Sequence, residues 1–415
     1  MIDKPAIKSL RIQNLLSFGP DSPKTTLGPL NVLIGPNGSG KSNFIEAIAL
    51  LQNTPRDLAT PIREGGGIVE WLWKLPPGKD VSNFRFGSHG VQPSRQKAAR
   101  SLPAATIEVS ANPPHLTEPI RYWLSFTGVN YQLDVKDERV AAEATERSQE
   151  DAQPYFGYIN GRPMLRMNGT QQELSRQQIN PQQSILAQRK DPAQYPELTY
   201  LGQLFGDIKI YRNWEFGPIS DARNMFGPEL SIEFLDEDIS NLGLMLNRLN
   251  SDSRTKSELI EYLKTFYEGA ERIETPIQGA LVDVRLIERG GVEISAIRLS
   301  DGTLRWLALL TILLHPAPPP LVCIEEPELG LHPDIIPPLA QLLRDASQRM
   351  QLIVTTHSDA LVSELTDIPE TVIVCERENG STVLKRLERK RLAAWLKTYS
   401  LGHLWRKGEI GGNRW

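Results

Sequence analysis

The chain has 415 residues, enough for two or three domains at roughly 150 residues each. Hydrophobic residues make up 40% of it, which supports a sizeable core and excludes disorder of the whole chain. With 46 Lys and Arg against 50 Asp and Glu, the net charge is −4, which excludes a whole-protein basic signature for nucleic acid and leaves any such contact to a local patch. The two cysteines, Cys323 and Cys375, are too few for a disulfide framework or a Cys-rich metal site. The longest strongly apolar run, residues 307–314, stops at His315 and Pro316, short of the roughly 20 residues of a spanning helix. No apolar stretch in the first residues resembles a secretory signal. A cytoplasmic location without membrane contact is the expectation.

In chain order, residues 7–16 predict a strand and 30–34 a second one, ending in the turn Gly35-Pro36-Asn37-Gly38. Residues 42–52 have helical periodicity. Residues 53–105 are rich in Pro, Gly and Arg and give no long periodic element. Residues 106–109, 121–127 and 131–135 alternate like antiparallel strands, and Asn160-Gly161 is a hairpin signal. The glutamine-rich stretch 171–188 is expected to be a surface loop. Residues 239–249 and 257–267 read as amphipathic helices, and 282–287 with 292–297 as a hairpin. From there the rhythm is α/β: helix 302–314, strand 321–324, helix 332–347, and strands 352–355 and 371–375. Such alternation predicts a largely parallel sheet flanked by helices. The absence of a sustained heptad run excludes a long coiled coil.

Gly35-Pro36-Asn37-Gly38-Ser39-Gly40-Lys41-Ser42 fits G-x-x-x-x-G-K-[ST] between a predicted strand and helix. Glycines let successive backbone N–H groups turn toward phosphates, and the helix N-terminus adds its positive dipole end. Lys41 is then placed for the β/γ-phosphates and Ser42 for Mg²⁺. Far along the chain, Leu321-Val322-Cys323-Ile324-Glu325-Glu326-Pro327-Glu328 is an apolar strand running into carboxylates. In open α/β sheets that end faces the ligand crevice. Glu325 is placed to hold Mg²⁺ through water and Glu326 to orient or deprotonate an attacking water. The first position is usually Asp, so the division of roles between the two stays open. His357, closing the next strand, is placed to touch the γ-phosphate. Leu299-Ser300-Asp301-Gly302 opens an apolar helix and would make an anion-binding cap.

In this order, the four motifs resemble those of the ABC-type ATPases of the SMC/RecF/OLD group, over roughly residues 1–55 and 280–376. Residues 7–15 and Gly330-Leu331-His332-Pro333 look like that group's first strand and D-loop. The resemblance implies an α/β fold: a P-loop ABC-type ATPase head with a mixed sheet, an antiparallel β subdomain and a helical insertion. Its core would comprise residues 1–55 and 280–384. The insertion, 56–279, would hold an antiparallel β part (about 56–160), a polar loop (about 161–200) and a helical part (about 231–270). A basic, Trp-containing tail would span 385–415.

The resemblance further implies an ATPase using ATP and Mg²⁺, with Glu326, His357 and Lys41 catalytic and with Ser42 and Glu325 on the metal. ATP held by Gly35, Pro36, Asn37, Gly38, Ser39, Gly40, Lys41 and Ser42 of one subunit would be capped by Ser300, Asp301 and Gly302 of another, giving a homodimer or higher homo-oligomer. Gln92 is a candidate for the group's Q-loop glutamine. The stretch from Ser42 to Ser300 is too short for an SMC arm, and the segment after His357 is too short for the Toprim nuclease domain of OLD proteins. The chain thus looks like the compact AAA-family ATPases of bacterial antiphage modules, which work with a separately encoded effector such as a Toprim-like nuclease.

The tail carries Trp395, Trp405 and Trp415 among many Lys and Arg residues, a composition suited to a protein partner or DNA. The other reading of it is a helix docking Leu392, Trp395 and Leu396 on the core. Two alternatives to the effector-controlling switch remain: a RecF-like ATPase that binds DNA by itself, and a nucleotide-locked scaffold with negligible turnover. A transporter ATPase is disfavoured, because Thr303-Leu304-Arg305 lacks the Gly-Gln continuation typical there.

Overall fold

Every residue of the strand Leu30–Ile34 is buried, and its side chains divide between two cores, Val32 and Ile34 on one side and Leu33 on the other. A strand covered on both faces is mostly apolar, and its one polar side chain, Asn31, bonds the carbonyls of Gly28 and Leu352. In the computed structural model, which describes residues 4–74, 103–114, 118–143, 153–159, 161–212, 214–218, 220–223, 231, 233–278 and 281–412, this strand sits inside a six-stranded sheet. The order is Lys209–Tyr211, Leu321–Glu325, Gln351–Thr355, Leu30–Ile34, Val372–Glu378, Ser381–Arg386. All neighbours are parallel except the last pair. The fold is thus mixed α/β, as the sequence predicts.

One face of the sheet is covered by helices Asp301–Leu313 and Ile336–Ala346 together with Leu242–Ser251 and Ser253–Phe266. The other receives helix Lys41–Asn53 and a second, eight-stranded antiparallel sheet centred on Ile7–Gln13, Ala105–Ala111, Ile120–Val129 and Gln132–Ala142. Buried Gln351 pins the two sheets together: its amide accepts from Ile7 N at 2.9 Å and donates to Ile7 O at 2.8 Å and Gly28 O at 3.0 Å.

Several elements differ from expectation. The first strand ends at Gln13, because Asn14 and Leu16 take left-handed backbone (φ 53° and 51°), and it joins the antiparallel sheet. Lys209–Tyr211, inside the expected insertion, joins the parallel sheet; three residues are too few to show a periodicity. Ser381–Arg386 reads S-T-V-L-K-R, a polar edge strand with no apolar run, and it crosses the boundary expected at 384/385. Gln92 and Trp415 lie outside the described residues.

The tail is docked. Leu401, Leu404 and Trp405 are buried, Leu392 and Leu396 pack partly against the core, and Trp395 stays 47% exposed. Trp405 Nε1 donates to Gly412 O (3.3 Å), and Gly412 N to Glu376 Oε1 (3.0 Å). No helix among the described residues is long and apolar enough to cross a membrane.

The glutamine-rich stretch also departs from a bare loop. It contains strand Thr170–Glu173 and helix Ile185–Gln188, tied down at buried Ser184, Ile185 and Leu186. The anchor is Glu138, buried in the antiparallel sheet, which accepts from Tyr122 Oη (2.8 Å), Ser184 Oγ (2.5 Å) and Ile185 N (2.7 Å). Burial pushes its pKa up to about 7 despite those donors. A folded pKa above the unfolded one means that the native state binds the extra proton, so stability falls as pH rises between the two. The melting temperature is therefore expected to drop from pH 5 to pH 8, and Glu138→Gln to flatten that slope. A slope unaltered by the substitution would assign the pH dependence elsewhere.

Candidate functional site

The Gly35–Ser42 loop leaves its strand through Gly35 (φ 149°) and enters helix Lys41–Asn53 through Gly40 (φ 105°). Both positions are wedged. A Cβ on Gly35 would lie 2.3 Å from the Cys375 carbonyl oxygen, and one on Gly40 would lie 2.1 Å from Thr382 Oγ1 and 2.8 Å from Ser17 Oγ. Thr382 Oγ1 bonds Ser17 Oγ (2.7 Å) and Ser39 O (2.9 Å), so the last strand braces the loop from behind. No side chain caps the helix, and buried Ser39 Oγ has no hydrogen-bond partner among the described residues. Free amides at a helix start and an orphaned hydroxyl suit a phosphate.

Lys41 is buried, its Nζ donating to Gly35 O (2.7 Å) and Pro36 O (3.2 Å). Burial lowers its pKa, while Cys375, Glu326 and Glu325 act to raise it.

Because the strands run parallel, the ends of Leu321–Glu325 and Gln351–Thr355 come out on the same edge as the loop. Glu325 closes its strand; burial raises its pKa, countered by Arg212 and Lys41 and reinforced by Glu326 and Glu46. Glu326 sits in left-handed backbone (φ 46°), its N–H bonded to Thr355 O at 2.9 Å. His357 Nε2 lies 3.7 Å from Glu326 Oε1. Burial lowers the His357 pKa, nearby Lys41 lowers it further and Glu326 opposes. Glu328 turns back to accept from Thr356 Oγ1 (2.5 Å) and His357 N (3.2 Å), holding the two strand ends together.

Ser300 caps helix Asp301–Leu313, accepting from Thr303 N at 3.1 Å. Asp301 pairs with Arg223, a buried guanidinium that also donates to the carbonyls of Phe216, Ala296 and Leu299. A Cβ on Gly302 would lie 3.1 Å from Gly330 O, so the Ser300 loop and the Gly330 turn share one surface. Among the described residues the hydrogen bonds and ion pairs of Ser300 and Asp301 go to their own helix turn and to Arg223, not to the Gly35–Ser42 loop. A cavity of about 890 Å³ opens at that surface, lined by Trp214, Phe216, Asp301, Gly302, Arg305 and Gly330.

The structure therefore brings together Lys41, Glu325, Glu326 and His357 and leaves Ser300, Asp301 and Gly302 apart. Sequence reasoning missed Arg212, Glu46, Trp214 and Arg305 around the carboxylates. For Arg305 a signal existed, a lone cation inside an otherwise apolar helix; for Trp214 none did. The strand beside the acidic one, Lys209–Tyr211, is followed by Arg212, so no glutamine stands at that strand end. Among the described residues no three His, Cys, Asp or Glu side chains could hold a metal by themselves. Mg²⁺ bound by one or two side chains plus substrate phosphates needs no such cluster, and Ser42 and Glu325 fit that mode.

The chain is similar in structure to an SMC head bound to the C-winged helix domain of ScpA, with 13% identity and a TM-score of 0.53 over 93% of this chain and 99% of that one. It is similar also to the Smc head domain with an extended coiled coil of Pyrococcus furiosus, bound to the C-terminal domain of ScpA, with 12% identity and a TM-score of 0.52 over 95% and 99%. At such identity the likeness shows the fold, that of an SMC-type ATPase head. No curated protein matches. Residues 30–112 and 218–363 match the family described as "AAA domain, putative AbiEii toxin, Type IV TA system". With more than half of its length matched, the chain belongs to that family of AAA domains.

Proposed function

We propose that the protein is an ATP-hydrolysing switch that dimerises head-to-head through ATP and controls a separately encoded effector in a defence module of toxin–antitoxin type. The observation that carries this reading is the convergence of the braced, uncapped phosphate loop with Lys41, Glu325, Glu326 and His357 on one edge of the parallel sheet. Backbone amides from Gly38 to Ser42 take the phosphates, and Lys41 leaves the Gly35 and Pro36 carbonyls to reach the γ-phosphate. Ser42 and Glu325 would hold Mg²⁺, which would supply neutralisation of the phosphates' charge. Glu326 orients the attacking water and accepts its proton. His357 donates from Nε2 to the γ-phosphate, a contact that disappears with phosphate release.

A second copy is the natural occupant of the Ser300 surface. Ser300 is solvent-exposed, and beside it stand two bare apolar side chains, Ile297 at 61% and Leu329 at 57% exposure. Apolar residues flanking a cap that lacks its phosphate in its own chain suit an interface formed only with nucleotide. The DNA alternative has less to draw on. Four cations on the open sheet face, Lys8, Arg11, Lys24 and Arg121, are already paired with Glu108 and Glu143.

The test is solution mass with and without MgATP. The parent chain should shift from monomer toward dimer on adding ATP, and Ser300→Arg should remain monomeric while binding ATP normally. A dimer of unaltered strength in that variant rejects the head-to-head arrangement.

A further inference from the structure

Arg305 is a buried guanidinium, 7% exposed, that makes no ion pair among the described residues. Its charge rests instead on two aromatic faces, with Cζ 5.1 Å from the Trp214 ring centroid and 5.7 Å from that of Phe216. The rings are stacked with centroids 5.9 Å apart, and Tyr211 extends the stack below Trp214. Burying a cation in this way is costly unless its donors are used. One of them is: Nη1 donates to Glu326 O at 3.3 Å. Trp214 does the same one residue earlier, its Nε1 donating to Glu325 O at 2.9 Å.

These two bonds fall on the residues whose carboxylates matter most. Glu326 holds left-handed backbone, which a non-glycine side chain keeps only when its surroundings over-determine it. Four restraints do so: Glu326 N to Thr355 O, Leu329 N and Arg305 to Glu326 O, and Trp214 to Glu325 O. Arg305 also belongs to helix Asp301–Leu313, whose first turn carries the Ser300 cap. The helix that would meet the partner's phosphate is thereby joined, within two turns, to the peptide carrying the proposed general base.

We propose that Arg305 and Trp214 are positioning residues: together they clamp the Glu325 and Glu326 carbonyls, so that the helix bearing Ser300 sets the aim of both carboxylates. The inference rests on the proposed ATPase reading and deepens it by naming what aligns the site. The clamp's two bonds go to backbone carbonyls and not to the side chains proposed to meet nucleotide or metal. Its loss should therefore leave phosphate binding intact and misdirect only Glu325 and Glu326.

The test compares the parent with Arg305→Met, Arg305→Lys and Trp214→Phe, the last of which keeps the stack and deletes the N–H. A fluorescent ATP analogue is titrated with and without Mg²⁺, alongside steady-state ATP turnover and thermal melting. In Arg305→Met and Trp214→Phe, kcat is expected to fall about 10–100-fold, and the tightening of the analogue by Mg²⁺ to weaken by about tenfold. Metal-free binding should stay within about threefold of the parent. Arg305→Lys, which retains a cation and a donor, should recover part of the loss. Parent-like turnover and Mg²⁺ response in both variants overturns the clamp. So does a loss of metal-free binding and melting temperature together, which marks a merely structural role. A parent chain that turns over no ATP defeats the hydrolysis reading alone, and the Mg²⁺ comparison then decides the clamp by itself.

Discussion

Glu326→Gln is expected to lower ATP turnover by about 10²–10³-fold while leaving nucleotide binding intact. The exchange keeps the length and shape of the side chain and removes its capacity to take a proton. The backbone that presents it is held independently of the carboxylate, through Thr355 O and Arg305. The partner of the carboxylate is His357, 3.7 Å away, so the substitution breaks no hydrogen bond. Binding groups and catalytic group are thus separable, and the variant should accumulate as the ATP-bound dimer that the parent passes through briefly. Phosphate release measured beside solution mass checks both halves. Normal turnover in the variant would move the base to Glu325, the other carboxylate at that strand end.

The second large effect concerns the walls of the phosphate loop. Gly35→Ala and Gly40→Ala each drive a methyl into a fixed atom, the Cys375 carbonyl oxygen at 2.3 Å and Thr382 Oγ1 at 2.1 Å. Neither neighbour yields freely, since one is sheet backbone and the other is bonded to both Ser17 and Ser39. The loop must move, and with it the amides meant for phosphate. Nucleotide affinity is expected to fall by about 100-fold or more, equivalent to about 2.7 kcal/mol. Gly38→Ala is the control: it shares the left-handed backbone (φ 77°), but no atom lies within 4 Å of the added carbon. Its cost in thermal stability should be the intrinsic penalty alone, about 1–2 kcal/mol. If all three substitutions destabilise equally, backbone handedness rather than the wedge dominates, and the bracing role given to Thr382 fails.

The outcomes depend on different parts of the molecule, and those parts differ in how far they could be read in advance. Strands buried on both faces, such as residues 30–34, 321–325 and 351–355, announce themselves as mainly apolar runs, because a polar side chain between two cores survives only with its hydrogen bonds met, as at Asn31 and Gln351. Edge strands carry no such mark. Ser381–Arg386 is half polar, yet its Thr382 fixes the phosphate loop. The C-terminal segment left two readings open in the sequence, a binding tail or a docked helix, and the structure docks it through Leu401, Leu404 and Trp405 while Trp395 stays exposed.

By itself the sequence determined the chemistry to be expected: a glycine-lined loop with Lys41 and Ser42, a strand ending in carboxylates, and a capped helix at Ser300. Local backbone geometry and short-range spacing suffice for each, so each is legible as a string. What only the tertiary structure decided is which groups face one another. Parallel pairing delivers Lys41, Glu325, Glu326 and His357 to one edge from segments some 300 residues apart in the chain. The same packing holds Ser300 away from them and slides Arg305 and Trp214 beneath the Glu325 and Glu326 carbonyls. Long-range register of this kind is set by how whole faces bury, and no window of sequence contains it.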